Sequence, residues 1–209
     1  MIASPSRLLQ AAAHLHAADS KLAPYIDRSG ICTITPHTNY YQSLVDSIIG
    51  QQLSVKAARS IRERFYIRYG KNTLLAPEEI LSSSVDDLRA VGLSGAKARY
   101  VQDLAQHVLD GRLTFDRIEQ LTNDEVIAML TAVKGIGEWT AHMFMMFCMG
   151  RLDVLPVGDL GVKNGMKILY GLDAVPTPDE MRVIAVKFNW HPYESVASWY
   201  VWQSLDIIP

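Results

Sequence analysis

Apolar positions recur along most of the chain at three- and four-residue intervals, and alternating β-branched runs are few, so the pattern predicts a mostly α-helical protein. The first helix is expected over about Arg7 to Ala18, followed by an irregular connection marked by Pro24, Gly30 and Pro36. A longer helical stretch opens near Tyr40 with Leu44, Ile48 and Ile49 on one stripe. It breaks at Gly50-Gln51-Gln52-Leu53 and restarts behind Ser54, a residue suited to cap a helix. Ser84 to Asp87 has the form of a helix entrance, and Gly92 to Gly95 that of a tight turn into a helix over 96–110. A short helix follows from Thr114 to Gln120. Behind Thr122 the residues Val126, Met129, Leu130 and Val133 fall at i, i+3, i+4 and i+7, one buried stripe that stops at Lys134-Gly135-Ile136-Gly137. Another helix starts at Glu138 and carries the apolar run Met143 to Met149, which is expected to be core filler, since methionine fits irregular gaps. Beyond Gly150, Asp153 to Val157 is extended, and helices are expected over 160–170, over 179–188 behind a Thr177 cap, and over 196–205.

No repeat of fixed period interrupts this order. We expect two helical lobes, a contiguous one over 42–150 and a second built from 1–41 and 151–209, with a cleft between them. The chain has 209 residues, 49% of them hydrophobic, enough to bury a sizeable core.

Charge narrows the function less than composition does. Twenty Lys and Arg against twenty-two Asp and Glu give a net charge of −2, so attraction to an acidic partner would have to be local. One local candidate exists: Lys56, Arg59, Arg62, Arg64, Arg68 and Lys71 share the outward side of one helix with Glu63 as the opposing acid, either a solvated face or a phosphate-facing one. Cys32 and Cys148 are too few for a disulfide scaffold, lack zinc or redox spacing, and exclude a four-thiolate cluster. No metal site is expected, His14-x-His16 being too weak a pattern. The first twenty residues resemble neither a secretory signal nor a membrane anchor, so a reducing intracellular setting is expected, with no membrane partner. Walker, H-E-x-x-H and G-x-S-x-G patterns are absent.

The chemistry gathers at two places. Leu130-Thr-Ala-Val133-Lys134-Gly135-Ile136-Gly137-Glu-Trp139-Thr140-Ala141 joins two helices by a turn so short that they must form a hairpin. Its glycines allow a sharp turn and close approach, and the amides at the second helix's start point outward beside the positive end of its dipole, an arrangement that binds anions. A second turn, Gly92-Leu93-Ser94 with Lys97, is either structural or phosphate-facing. Twenty-two residues after Gly137 comes Asp159, at the end of Leu155-Pro156-Val157-Gly158 and at the head of a helix, where its plainest role is a cap.

Together the hairpin and the Gly/Pro-rich stretch ending in aspartate resemble the helix-hairpin-helix DNA glycosylase superfamily, in particular a short form of the DNA-3-methyladenine glycosylase II, or alkylbase glycosylase, type. The likeness spans about residues 40 to 205 and includes Ile49-Gly50-Gln51-Gln52-Leu53-Ser54 and Trp190-x-Pro192-Tyr193…Trp202. It implies an all-α fold of two lobes around a cleft and an enzyme that flips alkylated bases such as 3-methyladenine out of double-stranded DNA and cleaves the glycosidic bond. Asp159 matches the catalytic aspartate. Gln52, with Gln51 beside it, matches the residue that fills the vacated gap, though a polar connector is the alternative for both. Trp139, Tyr193, Trp190 and Met143 are the implied base pocket, with Trp190 and Trp202 equally readable as core, while Val133, Lys134, Gly135, Ile136, Gly137 and Thr140 are the implied phosphate contacts. A bifunctional relative would carry lysine where Trp139 stands, so a monofunctional enzyme leaving an abasic site is implied. No cofactor is required, and a monovalent cation at the hairpin is the one accessory ion expected. A monomer is expected, in a nucleoid or a nucleus. Met143 and Glu194 depart from the family pattern, where relatives place an aromatic and an arginine. A non-catalytic DNA-binding module and a glycosylase/lyase are the rival readings.

Overall fold

The computed structural model describes residues 1–71 and 74–205, with the backbone alone at Lys71 and Leu74, so the side chain of Lys71, expected on the basic face, lies outside the described residues. Twelve helices are present in it: α1 Pro5–Ala18, α2 Ala23–Ser29, α3 Tyr40–Gly50, α4 Val55–Tyr69, α5 Pro77–Ser82, α6 Val85–Ala90, α7 Gly95–Leu109, α8 Asn123–Thr131, α9 Glu138–Met143, α10 Leu160–Tyr170, α11 Pro178–Lys187 and α12 Glu194–Leu205. The fold is all-α. Its strands among the described residues are β1 Gly70–Lys71 and β2 Leu74–Leu75, a two-residue antiparallel pair. No helix among these residues is long and apolar enough to cross a membrane.

Local chemistry sets most helix starts. Ser54 Oγ accepts the Ala57 N–H at 3.3 Å, and Ser84, Thr122 and Thr177 each form a reciprocal capping box with an acid three residues on. Two helices went unread in the sequence. Pro24 and Pro77 sit in the first turns of α2 and α5, where a missing N–H costs nothing, so residues that look like helix breakers here open helices. The segment expected as a helix over 114–120 holds a 3₁₀ turn at Ile118–Gln120. Past α9 the chain continues as a π turn over Phe144–Cys148.

The chain divides into two compact units. One comprises Met1–Thr38 and His142–Pro209, the other Asn39–Ala141. The second cut, after Ala141, falls inside α9, where the expected boundary was at 150. In the 39–141 unit, α3, α4, α5, α6 and α7 pack around Leu44, Val45, Ile48, Ile49, Phe65, Tyr69, Ile80 and Leu88, all buried. The other unit packs α1, α2, α10 and α12 around Leu15, Leu22, Met166, Trp190, Tyr200 and Val201. At its centre Asp19 is fully buried and satisfied by the amides of Lys21 and Leu22, the Tyr170 hydroxyl at 2.6 Å and the Trp190 indole N–H at 2.8 Å. Burial first, and Asp19 second, hold the Tyr170 phenol well above its usual range, so the hydroxyl stays a donor. Met145, Met146 and Met149 are buried, as expected of core filler.

Candidate functional site

In the 39–141 unit the hairpin turn is built as its glycines require. Gly135 has φ +84°, and a Cβ there would lie 2.2 Å from the Tyr100 ring, so both backbone and space demand glycine. Gly137 has open space around its Cα. The amides of Gly135 and Gly137 make no hydrogen bond among the described residues, whereas the Lys134 N–H is held by Asp103 Oδ2 at 2.8 Å and the Ile136 N–H by the Val133 carbonyl at 3.1 Å. Asp103 also lies 3.7 Å from Lys134 Nζ. The set of amides open to an anion is therefore narrower than expected. Of the other expected contacts Val133, Ile136 and Thr140 are buried, and the Val133 N–H is held by the Leu130 carbonyl at 3.1 Å.

The break between α3 and α4 lies against this turn. Gln51 Nε2 donates to the Gly135 carbonyl at 2.8 Å, while Lys97 Nζ donates to the Ile49 and Gln51 carbonyls at 2.8 and 2.6 Å, satisfying the end of α3. Lys97 thus serves the protein interior and not a phosphate, and burial holds its ammonium pKa below the usual lysine range. Gln52 is exposed at φ +56°, a left-handed conformation uncommon outside glycine, which throws its side chain to the tip of the break. Leu53 and Val55 beside it are 39% and 87% exposed. Of the two glutamines, Gln51 is bonded inward to the hairpin and Gln52, the one the family likeness matches better, is exposed.

A depression of about 620 Å³ runs beside them, lined by Asp46, Ser47, Gly50, Gln51, Gln52, Leu53, Arg62, Trp139 and Thr140. Trp139 is 46% exposed, unusual for so large an apolar ring. Asp46 accepts the Tyr66 hydroxyl at 2.7 Å and lies 3.9 Å from Arg62 Nε; burial pushes its carboxyl above the usual range, against the opposing pull of Tyr66 and Arg62. Arg59 pairs with Glu63 and Arg64 Nε donates to the Val91 carbonyl, so part of the expected basic face is engaged within the protein.

In the other unit Asp159 heads α10. Its Oδ1 accepts the Val162 N–H at 2.8 Å, the cap expected of an aspartate so placed, and also the Trp202 indole N–H at 2.9 Å. The cap needs only the helix; the second donor comes from 43 residues away. Phe147, from the π turn, stacks on Trp202 at 5.7 Å and 27°. Asp159 is 9% exposed. Trp190 does not belong with it: the indole is fully buried and spends its N–H on Asp19, which makes it core. Tyr193 is half-buried, edge-on to His14 at 5.2 Å, and Met143 is half-buried. Glu194 accepts from His191 Nδ1 at 3.0 Å. Nothing in the sequence singled out Phe147, Asp103 or Asp46; Trp202 and Lys97 were visible but read otherwise, because a side-chain partner on another helix leaves no local pattern. Among the described residues no group of three or more His, Cys, Asp or Glu side chains could hold a metal.

The chain is similar to known proteins in sequence and in fold. Residues 45–189 match the HhH-GPD superfamily of base excision DNA repair proteins. An alkylbase DNA glycosidase-like protein of Schizosaccharomyces pombe, mag2, is 30% identical over 91% of this chain and 90% of its own. A crystal structure of DNA-3-methyladenine glycosidase from Bacillus halodurans superposes with a TM-score of 0.82 at 41% identity, covering 96% of this chain and 89% of that one. The S. pombe 3-methyladenine DNA glycosylase Mag1, solved in complex with abasic DNA, superposes with a TM-score of 0.79 at 30% identity, covering 94% and 97%.

Proposed function

We propose a reaction from this premise: the chain belongs to the HhH-GPD superfamily of base excision DNA repair proteins. It is a DNA glycosylase that removes alkylated purines from duplex DNA, with Asp159 as the catalytic carboxylate. A 3- or 7-alkylated purine already carries positive charge and departs as a neutral base, so no general acid is needed. The barrier lies in the sugar, which becomes oxocarbenium-like as the bond breaks. A fixed carboxylate stabilises that charge electrostatically and orients the attacking water.

The remaining parts have matching roles. Gln52, at its left-handed tip, fills the space of the rotated nucleotide, and the Gly135 and Gly137 amides bind backbone phosphate. Trp139 offers an exposed π face to a cationic base, worth about 1–2 kcal/mol when desolvated. Because tryptophan cannot form a Schiff base, the product is an abasic site in an intact strand. A cation at the hairpin would draw on neutral carbonyl oxygens, the donor type a monovalent ion accepts; that of Gly135 already takes one bond from Gln51 and keeps a second lone pair.

The observation that carries the reading is the Asp159 carboxylate held from two helices at once. The test is release of 7-methylguanine from a methylated duplex by Asp159→Asn, which keeps a capping side chain. Base release should disappear while duplex affinity persists. Release at the wild-type rate would remove Asp159 as the catalytic carboxylate, and no release by the wild type itself would leave the rival reading, a module that grips DNA without cutting a bond.

A further inference from the structure

We infer that Trp202 is a positioning residue for Asp159, fixing the plane of its carboxylate through the indole N–H; this rests on the reading of Asp159 as the acting group. A capping bond from the Val162 amide restrains the first torsion of the aspartate, but the terminal torsion of a carboxylate is broad and roughly two-fold. A second donor from another direction removes that freedom. The indole suits the task because it donates and cannot accept, so it takes no part in proton exchange with the carboxylate.

The surroundings are shaped to admit this donor. A Cβ on Gly161 would stand 2.8 Å from Trp202 Nε1 and 3.1 Å from Asp159 Oδ1, crowding both ends of the bond. One turn on, a Cβ on Gly165 would stand 2.4 Å from Val201 Cγ1 and 2.9 Å from the Val201 carbonyl, so α12 approaches α10 over two glycines. Phe147, in the π turn, lies nearly parallel to the indole. A π turn inserts one residue into the helical register, a feature frequent at functional sites. A tryptophan retained for packing alone would need the space and the stack, but not an N–H on a carboxylate at 2.9 Å.

Trp202→Phe keeps a ring on Phe147 and removes the donor. We expect the single-turnover rate of 7-methylguanine release to fall roughly 10- to 100-fold, the usual effect of one hydrogen bond to a charged group, with affinity for an abasic duplex changed less than twofold. Gly161→Ala, acting from the other side of the bond, should reduce the same rate. In wild-type protein labelled with ¹⁵N at its tryptophans, the Trp202 indole N–H resonance should move on Asp159→Asn. An unchanged release rate in a folded Trp202→Phe overturns the inference, and so, if that variant does not fold, does an indole resonance indifferent to Asp159→Asn. Undiminished release by Asp159→Asn itself would instead remove the catalytic reading on which the inference stands.

Discussion

Gln51 reaches across 84 residues of sequence to the hairpin, its Nε2 donating to the Gly135 carbonyl at 2.8 Å. The break between α3 and α4 is thereby bound to the turn proposed to hold phosphate, and its neighbour Gln52 is left at the tip. The two should separate experimentally. Gln51→Ala should cost about 1 kcal/mol, a fall in Tm of about 2–4 °C. Gln52→Ala should leave Tm unchanged and slow base release from a duplex. Thermal melts and single-turnover assays on both variants check this, and equal effects would sink the division of labour.

The two hairpin glycines should also part company. Gly135→Ala places a methyl in the Tyr100 ring at a positive φ and should destabilise by roughly 1–3 kcal/mol. Gly137→Ala meets open space, so its stability should hold within about 1 kcal/mol while its affinity for duplex DNA falls. Urea unfolding and a binding titration on each variant test the pair; a Gly137→Ala protein binding like the wild type removes Gly137 from the phosphate contact.

Duplex affinity should decline with added salt as phosphate contacts imply, log K falling with log of salt concentration by about 0.9 for each contact. Lys56, exposed in the first turn of α4, is a candidate for one of them. Lys56→Ala should then flatten the slope by about one. An identical slope in the variant would place Lys56 on a merely solvated face.

On the proposed reading, the tryptophan at position 139 leaves the strand intact. Incubating the protein with an abasic duplex and borohydride should trap no covalent adduct, because the side chain at this position has no amine. A trapped band on a denaturing gel would make the enzyme a lyase and require another nucleophile.

Acid should loosen three helix starts together. Asp87, Glu125 and Glu180 accept the bonds of their capping boxes, which hold their carboxyls below the ordinary values of 3.8, 4.5 and 4.5. A carboxyl depressed in the folded state stabilises above its unfolded value and loses that contribution as pH falls through the folded one. Melting temperature should therefore drop as pH is lowered from about 4.5, and Glu125→Gln with Glu180→Gln should make that limb shallower. A limb of unaltered steepness in the double variant would assign acid sensitivity to other groups.

How much of this was legible beforehand depended on the range of the interaction. The Ser54, Ser84, Thr122 and Thr177 starts were readable because a cap and its acceptor lie within three residues. So were the hairpin and the Asp159 cap. Trp190 stayed open between pocket and core because its neighbours in sequence, Pro192 and Tyr193, belong to the family pattern while its partner, Asp19, lies 171 residues away. Gln51 and Gln52 differ only in a backbone angle, which no pattern of residue types encodes. Lys97 could be read either as structural or as phosphate-facing, because the carbonyl ends it satisfies, at Ile49 and Gln51, exist only once α3 stops there.

Asp159 ends one helix with the same oxygen that Trp202 holds, so the backbone amide of Val162 doubles as a clock. Each time that N–H opens to solvent, the carboxylate has left its station. On the proposed reading of Asp159, the rate at which Val162 exchanges its hydrogen for deuterium thus bounds the fraction of time the carboxylate spends out of place while every other turn of the helix is still wound.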